Sequence, residues 1–321
     1  MKKFNEIFID KTKYGEKIQT SEYEKQGKHI IVDQGQAEIA GYTNREEGLF
    51  NEVPVIIFGD HTRLIKYIDE PFFLGADGVK VLRCKEKNAN YKYLYYALKS
   101  AKIPNTGYNR HFKWLKDVEI NYPDSVKQEK IVDILDRVSD VIEKRKAELS
   151  YLDTLIKARF VEMFGDPIRN TQNRPTTEFI NVVKMQRGFD LPVQDRQQDG
   201  EIPVYGSNGA LDYHNVAKIH GGVITGRSGT IGKVFYTEGD FWPLNTSLFS
   251  ADTHGNNVIY LGYLLQLFDL TRFVEGTGVP TLNRNMFHNK QIIDVPIDEQ
   301  RVFAAFVNEI DKSKLQKFSA A

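Results

Sequence analysis

Cysteine is nearly absent from this chain. Cys84 is the single thiol among 321 residues, so no internal disulfide can be drawn, and a reducing compartment such as the cytoplasm suits it. No apolar run approaches the roughly 20 residues of a membrane-crossing helix, and Met1-Lys2-Lys3 leads into polar residues instead of a signal-peptide core. No membrane partner is therefore expected. The seven histidines show no ligand-like spacing with Cys84 or with acidic residues, which argues against a metal site. Net charge is missing too, with 43 Lys+Arg against 43 Asp+Glu. Residues 1–122 hold 20 basic and 17 acidic residues, and residues 166–297 hold 11 and 13. A surface for an anionic partner would have to be a local concentration of basic side chains.

Catalytic signatures are also lacking. The stretch Gly226 to Lys233 looks like a phosphate loop, but five residues separate Gly226 from Gly232, and Val234 stands where Ser or Thr should hold magnesium. No glycine fingerprint for a dinucleotide or methyl-donor cofactor follows a strand, and no Asn-Pro-Pro-aromatic methylation motif occurs. Pro123-Asp124 has no Glu-X-Lys strand after it, and no Gly-X-Ser-X-Gly elbow is found. Neither an enzyme nor a cofactor is expected.

What the chain does have is a long helix. From Val126 to Phe164 no glycine or proline interrupts, and apolar residues recur at Ile131, Leu135, Val138, Ile142, Leu149, Leu152, Ile156, Phe160 and Met163. The steps are fours and threes, with Arg145 filling one seam position and two fours in succession from Leu152 to Phe160; this is the period of a coiled coil. Gly165 and Pro167 supply the stop. At about 1.5 Å per residue the helix spans on the order of 55–60 Å.

The second presence is an internal repeat at an offset of about 170 residues. Ile30-Ile31-Val32 and Ile202-Pro203-Val204 each lead into glycine turns. Val55 to Asp60 and Gly222 to Arg227 are apolar strands ending in Gly59-Asp60 and Gly226-Arg227. Aromatic pairs follow at Phe72-Phe73 and Phe241-Trp242, then helical stretches at Tyr91 to Lys99 and Tyr260 to Phe268. Thr106-Gly107 with Asn109-Arg110 answers Thr277-Gly278 with Asn283-Arg284. Each copy closes on a proline, Pro123 or Pro296, and a helix start, with Lys127 to Ile131 matching Asp298 to Val302.

This order resembles the specificity (S) subunit of type I restriction-modification systems, over almost the whole chain. The carrying residues are Pro123 to Ile131 and Pro296 to Val302, the turn Gly226-Arg227-Ser228-Gly229-Thr230-Ile231-Gly232, and the exit Met163-Phe164-Gly165-Asp166-Pro167. The expected fold is α+β: two similar α/β target-recognition domains, related by a pseudo-two-fold repeat and joined by long antiparallel coiled-coil helices. The expected limits are 1–123 for the first domain, 124–165 for the spacer helix, 166–297 for the second domain and 298–321 for a shorter closing helix. The resemblance implies a non-catalytic subunit that reads a bipartite target in double-stranded DNA. It also implies methyltransferase (M) subunits docked on the helices and restriction (R) subunits joining through them. Two other classes remain open from the residues: a protein-binding adaptor with twin domains, or the recognition part of a split restriction-methylation enzyme.

Arg can read guanine, and Asn or Gln adenine, with paired hydrogen bonds. Candidate DNA contacts in the first half are Gln34, Gln36, Thr43, Asn44, Arg45, His61, Thr62, Arg63, Asn109, Arg110, His111 and Lys113. In the second half they are Tyr205, Ser207, Asn208, Arg227, Ser228, Thr230, Thr277, Asn283, Arg284 and Asn285. Antiparallel pairing of unequal helices should leave Ile131, Leu135, Val138 and Ile142 uncovered, for an M subunit or, in its absence, a second copy forming a homodimer.

Overall fold

The computed structural model describes residues 1–319 except Ala76, Tyr108, Gln198 and 277–279, with backbone alone beyond Leu315. The chain divides into two compact units, Met1–Lys144 and Arg145–Ala321, and the division falls inside the long helix. Among the described residues no helix is long and apolar enough to cross a membrane.

In the first unit Phe8–Asp10, Val79–Cys84, Val55–Gly59 and Ile65–Ile68 form a four-stranded antiparallel sheet in that spatial order. Successive side chains on a strand face opposite sides. Ile56 and Phe58 therefore pack with Leu82, Leu94 and Leu98, while Val55 and Ile57 pack with Ile30, Val32, Phe72 and Leu74. A strand buried on both faces is apolar without alternation, as Val55-Ile56-Ile57-Phe58 is. A second sheet joins Gly41–Thr43, His29–Val32 and Phe72–Leu74, with Ile31 and Phe73 paired in parallel. Helix α1 (Tyr91–Lys99) is capped by Asn90, whose side chain accepts the N–H of Tyr93.

The second unit repeats this plan in one six-stranded sheet. Its order is Lys184–Arg187, Ser247–Asp252, Ile219–Gly226, Val234–Pro243, Ile202–Gly206 and Gly209–His214. Val204 pairs in parallel with Trp242, as Ile30 does with Phe72. The sheet is single because Val234–Pro243 runs unbroken through ten residues. In the first unit the matching run is split into Ile65–Ile68 and Phe72–Leu74, with Pro71 between them, which has no N–H for a ladder.

Helix α2 is Ser125–Phe164, and its stop is physical: Gly165 takes φ +81° and gives its N–H to the Val161 carbonyl. Helix α3 (Val258–Phe268) is capped by Asn257 as α1 is by Asn90. Helix α4 (Ile297–Ser319) lies beside the second half of α2. Phe303 meets Phe160 and Phe164 at ring separations of 5.3 and 5.7 Å, and Lys314 reaches Asp153 at 2.9 Å. Contacts move back along α2 as they move forward along α4, so the pair is antiparallel. The two α+β repeats and the antiparallel helices are the fold class expected from periodicity and repeat.

One detail of the repeat is revised. Buried Gln128 gives its amide N–H to the Pro123 carbonyl, and buried Gln300 does the same to Val295. The helices therefore match one residue later than their sequences suggest: Ile131 answers Phe303, and Val302 points to solvent.

Candidate nucleic-acid interface

In the second unit the Gly226 to Gly232 turn is set by contacts too close for a side chain. A Cβ on Gly226 would run into the Thr230 carbonyl, and Gly229 takes φ +84°. The N–H groups of Arg227 and Ser228 donate to the Thr246 carbonyl at 2.9 and 3.2 Å, and the Arg227 carbonyl accepts from Leu282 at 2.8 Å. Arg227 is thus anchored through its backbone while its guanidinium remains half-exposed. The Asn283 side chain accepts from Asn285 at 3.1 Å and caps the tight turn Arg284–Met286.

These elements bring Arg187, Arg227, Thr281, Asn283, Arg284 and Asn285 around one cavity of about 300 Å³. None of its lining residues is acidic. Arg187 has a loose ion pair with Asp190 at 3.9 Å, both well exposed, so the pair competes weakly with an incoming anion. Three forked donors around a hollow suit phosphate oxygens or the acceptor edge of guanine. The positive character is felt nearby: His288 is held below the ordinary histidine pKa by burial first, then by Arg284 and Lys184. Its neutral ring accepts the N–H of Met185 at 3.2 Å.

The remaining second-unit candidates divide. Tyr205 packs among Phe241 and Phe235 at 5.8 and 6.3 Å, and exposed Asn208 accepts from Lys233. Ser207 and Thr230 flank the turn half-exposed, and Ser228 bridges to Thr281 in backbone register. Thr277 lies outside the described residues.

In the first unit the equivalent turn, Gly59-Asp60-His61-Thr62-Arg63, is clamped from inside. Buried Asp60 accepts the N–H of Phe112 at 2.7 Å on its carboxylate, and its carbonyl accepts from the His111 backbone at 2.7 Å. The Gln34 amide bridges the Asp77 carbonyl and the N–H of His61, and the Thr62 hydroxyl donates to the Gln34 carbonyl. Two expectations are revised here. His111 is fully buried with Nδ1 3.0 Å from the Asp60 carbonyl oxygen, and Thr43 is buried accepting the N–H of Arg45. Neither offers a side chain to an incoming duplex, because both close their own loops. Arg63 reaches the Ile103 carbonyl, Asn44 pairs with Glu24, and Arg45 pairs with Glu16. Gln36, Asn109, Arg110 and Lys113 stay exposed.

Some basic groups were not singled out from sequence. Lys80 and Lys116 lie over the Phe112 ring at 5.1 and 4.9 Å, and Lys113 lies over Trp114 at 4.9 Å. These ammonium groups rest on aromatic support, and Lys80 also lies 3.7 Å from Asp10. Arg187, which lines the second unit's cavity, is a further such group. Its signal was an arginine ending a strand just before Gly188, the mirror of Arg227 just after Gly226.

The seam residues are likewise graded by the fold. Ile131 and Leu135 are half-buried, Val132 beside them is buried, and Val138 and Ile142 are exposed together with Ile134 and Val141.

Residues 1–151 and 170–318 match the family described as type I restriction modification DNA specificity domain. Among solved structures the chain is similar to a type-I restriction-modification system S subunit from M. genitalium. The identity is 17%, the TM-score 0.61, and 99% of this chain and 91% of that one are covered. It also aligns with a structure on complex assembly and conformational transition of the type I R-M system, at 13% identity and TM-score 0.49, covering 91% and 86%. No curated protein matches the chain.

Proposed function

We propose a function from the premise that this chain belongs to the family of type I restriction-modification DNA specificity domains, which it carries twice. Its role is in DNA sequence specificity. Each unit reads one half of a bipartite target in double-stranded DNA, with residues 1–123 and 166–297 as the readers and the helices between and after them setting the gap. The chain itself is non-catalytic, works in the cytoplasm, and leaves methylation and cleavage to M and R subunits.

The observation that carries this reading is the repeated backbone clasp. In both units the turn after the central strand accepts a main-chain N–H from the loop holding Asn109-Arg110 or Asn283-Arg284. The same scaffold thus presents a polar, basic loop twice. Contacts shared by both loops suit phosphates, while residues that differ suit base edges. In the second unit Arg227, Arg284 and Arg187 take the charged contacts and Asn283 and Asn285 the polar ones. In the first, Arg110, Asn109, Lys113 and Gln36 do so, with Lys80 and Lys116 as phosphate partners.

An M subunit covers the exposed stripe Ile134, Val138, Val141 and Ile142, since a contiguous apolar stripe on a soluble protein marks an interface. Without an M subunit, a second copy covers it. Sequencing the methylome of cells that express the chain with its methyltransferase tests the reading. A methylated motif split by unread bases is expected. A continuous motif would sink the two-reader assignment.

A further inference from the structure

The outer hairpin of the second unit carries a feature that the first unit lacks. Its strands Ile202–Gly206 and Gly209–His214 pair Val204 with Asp212 and then Tyr205 with Ala210, so Leu211 is left over between two partners. An extra residue of this kind is a β-bulge, which interrupts the ladder and re-aims a side chain. The matching ladder of the first unit is unbroken, with Ile30 paired to Tyr42 and Ile31 to Gly41. Ile39, the apolar residue before that strand, packs on the core around Ile30, Val32 and Phe72. Leu211 instead stands 52% exposed.

The exposed leucine is nevertheless seated. A Cβ on Gly206 would run into Leu211 Cδ2, so the side chain rests over the glycine. The same Cβ would lie 3.6 Å from the Thr246 hydroxyl oxygen, and the Thr246 carbonyl accepts the N–H groups of Arg227 and Ser228. The hairpin tip also leans on the arginine turn. The Ser207 carbonyl oxygen is 3.1 Å from where a Gly226 Cβ would be, and Asn208 accepts from Lys233 at 2.8 Å. Asp212, next along the strand, is held by Arg196 at 3.6 Å. Leu211 is thus an apolar group whose seat adjoins the residue that anchors Arg227.

In the major groove the apolar mark that a base displays is the C5-methyl of thymine, while the other marks are donors and acceptors. We propose that Leu211 is a specificity-determining residue that packs against the C5-methyl of one thymine in the half-site read by the second unit. A leucine side chain has neither donor nor acceptor, so it discriminates against a base that lacks this methyl. The inference rests on the DNA reading given above and deepens it by naming a base contact.

The test uses the full chain with its methyltransferase, and duplexes carrying the split motif that the methylome yields. Each thymine of the motif, on either strand, is replaced in turn by deoxyuridine, which lacks only the C5-methyl. One replacement should weaken binding about fourfold, the worth of one buried methyl-sized group. Leu211→Asn, close in size and at an exposed position, should erase that effect and bind both duplexes about as weakly as the native chain binds the deoxyuridine one. If circular dichroism shows Leu211→Asn misfolded, Gly206→Ala replaces it. That variant keeps the leucine but fills its seat, and should shrink the same sensitivity. A split motif with no thymine whose methyl matters, or a methyl effect undiminished in the folded variant, overturns the inference while DNA reading stands. A continuous motif would instead remove the two-reader assignment, and this inference with it.

Discussion

The two units build the same turn and use it differently. In the first, Gly59-Asp60 hides its charge: the Asp60 carboxylate is buried on a backbone N–H, and Gln34 and His111 close the loop around it. In the second, Gly226-Arg227 keeps the backbone clasp but turns its side chain toward Arg187 and Arg284. Hydrogen bonds from main chain to main chain need no particular side chain, so duplication preserves them while the side chains diverge. The division seen here is a fixed scaffold with side chains that differ between the units.

The same contrast runs through the helices, where it predicts the largest energetic difference. Phe160 is enclosed by Tyr260, Phe164 and Phe303, so Phe160→Ala should cost about 3–5 kcal/mol, as filled aromatic sites do. Ile131, which answers Phe303 in the first unit, is half-covered, and Ile131→Ala should cost about 1–2 kcal/mol. Urea unfolding of both variants checks this. Equal losses would mean that Ile131 is as well enclosed as Phe160.

Next in size is the arginine cavity. Arg227→Ala should weaken DNA binding by about 1–3 kcal/mol if the guanidinium meets a base edge, and should relax one half-site only. Arg110→Ala, in the first unit, should act uniformly across sequences and lower the salt slope of binding by about one phosphate contact. Competition binding at several salt concentrations separates the two. If Arg227→Ala also acted uniformly, the cavity would hold a phosphate, and the contrast between the turns would be one of anchoring instead of reading.

The smallest expected effect is a pH dependence particular to the second unit. Buried Phe287 is followed by His288, while buried Phe112 in the first unit is followed by Lys113. Burial, with Arg284 and Lys184 beside it, holds the folded-state His288 below the ordinary histidine value, and the neutral ring serves as an acceptor. A depressed pKa contributes stability above the unfolded value, lost as pH falls below about 6.5. The unfolding midpoint of the second unit should therefore drop between pH 7 and pH 5, and His288→Gln should flatten that slope. An unchanged slope would remove His288 from the account.

Some of this was legible in residue order. Periodicity alone identifies a long helix when no Gly or Pro interrupts it, and Gly165 marks its end because few other residues adopt φ +81° easily. The repeat showed itself through glycine turns, aromatic pairs and the proline before each helix. Side-chain fate was less legible. His111 and Arg110 are neighbours with similar polar chemistry, yet one is sealed under Asp60 and the other exposed. The match of Val302 to Ile131 slipped by one residue, since both Val302 and Phe303 are apolar and only the buried Gln300 fixes the register.

The sequence by itself therefore determined the elements, their order, their duplication and the absence of catalytic signatures, because these depend on local backbone preference and short-range periodicity. The tertiary structure alone decided which charges converge and which side chains are covered. Arg187, Arg227 and Arg284 come from three separate segments, and only sheet pairing brings them to one hollow. Whether a half-buried Tyr96 or a buried Tyr263 results from the same helix pattern depends on what packs above it, and no local rule along the chain carries that information.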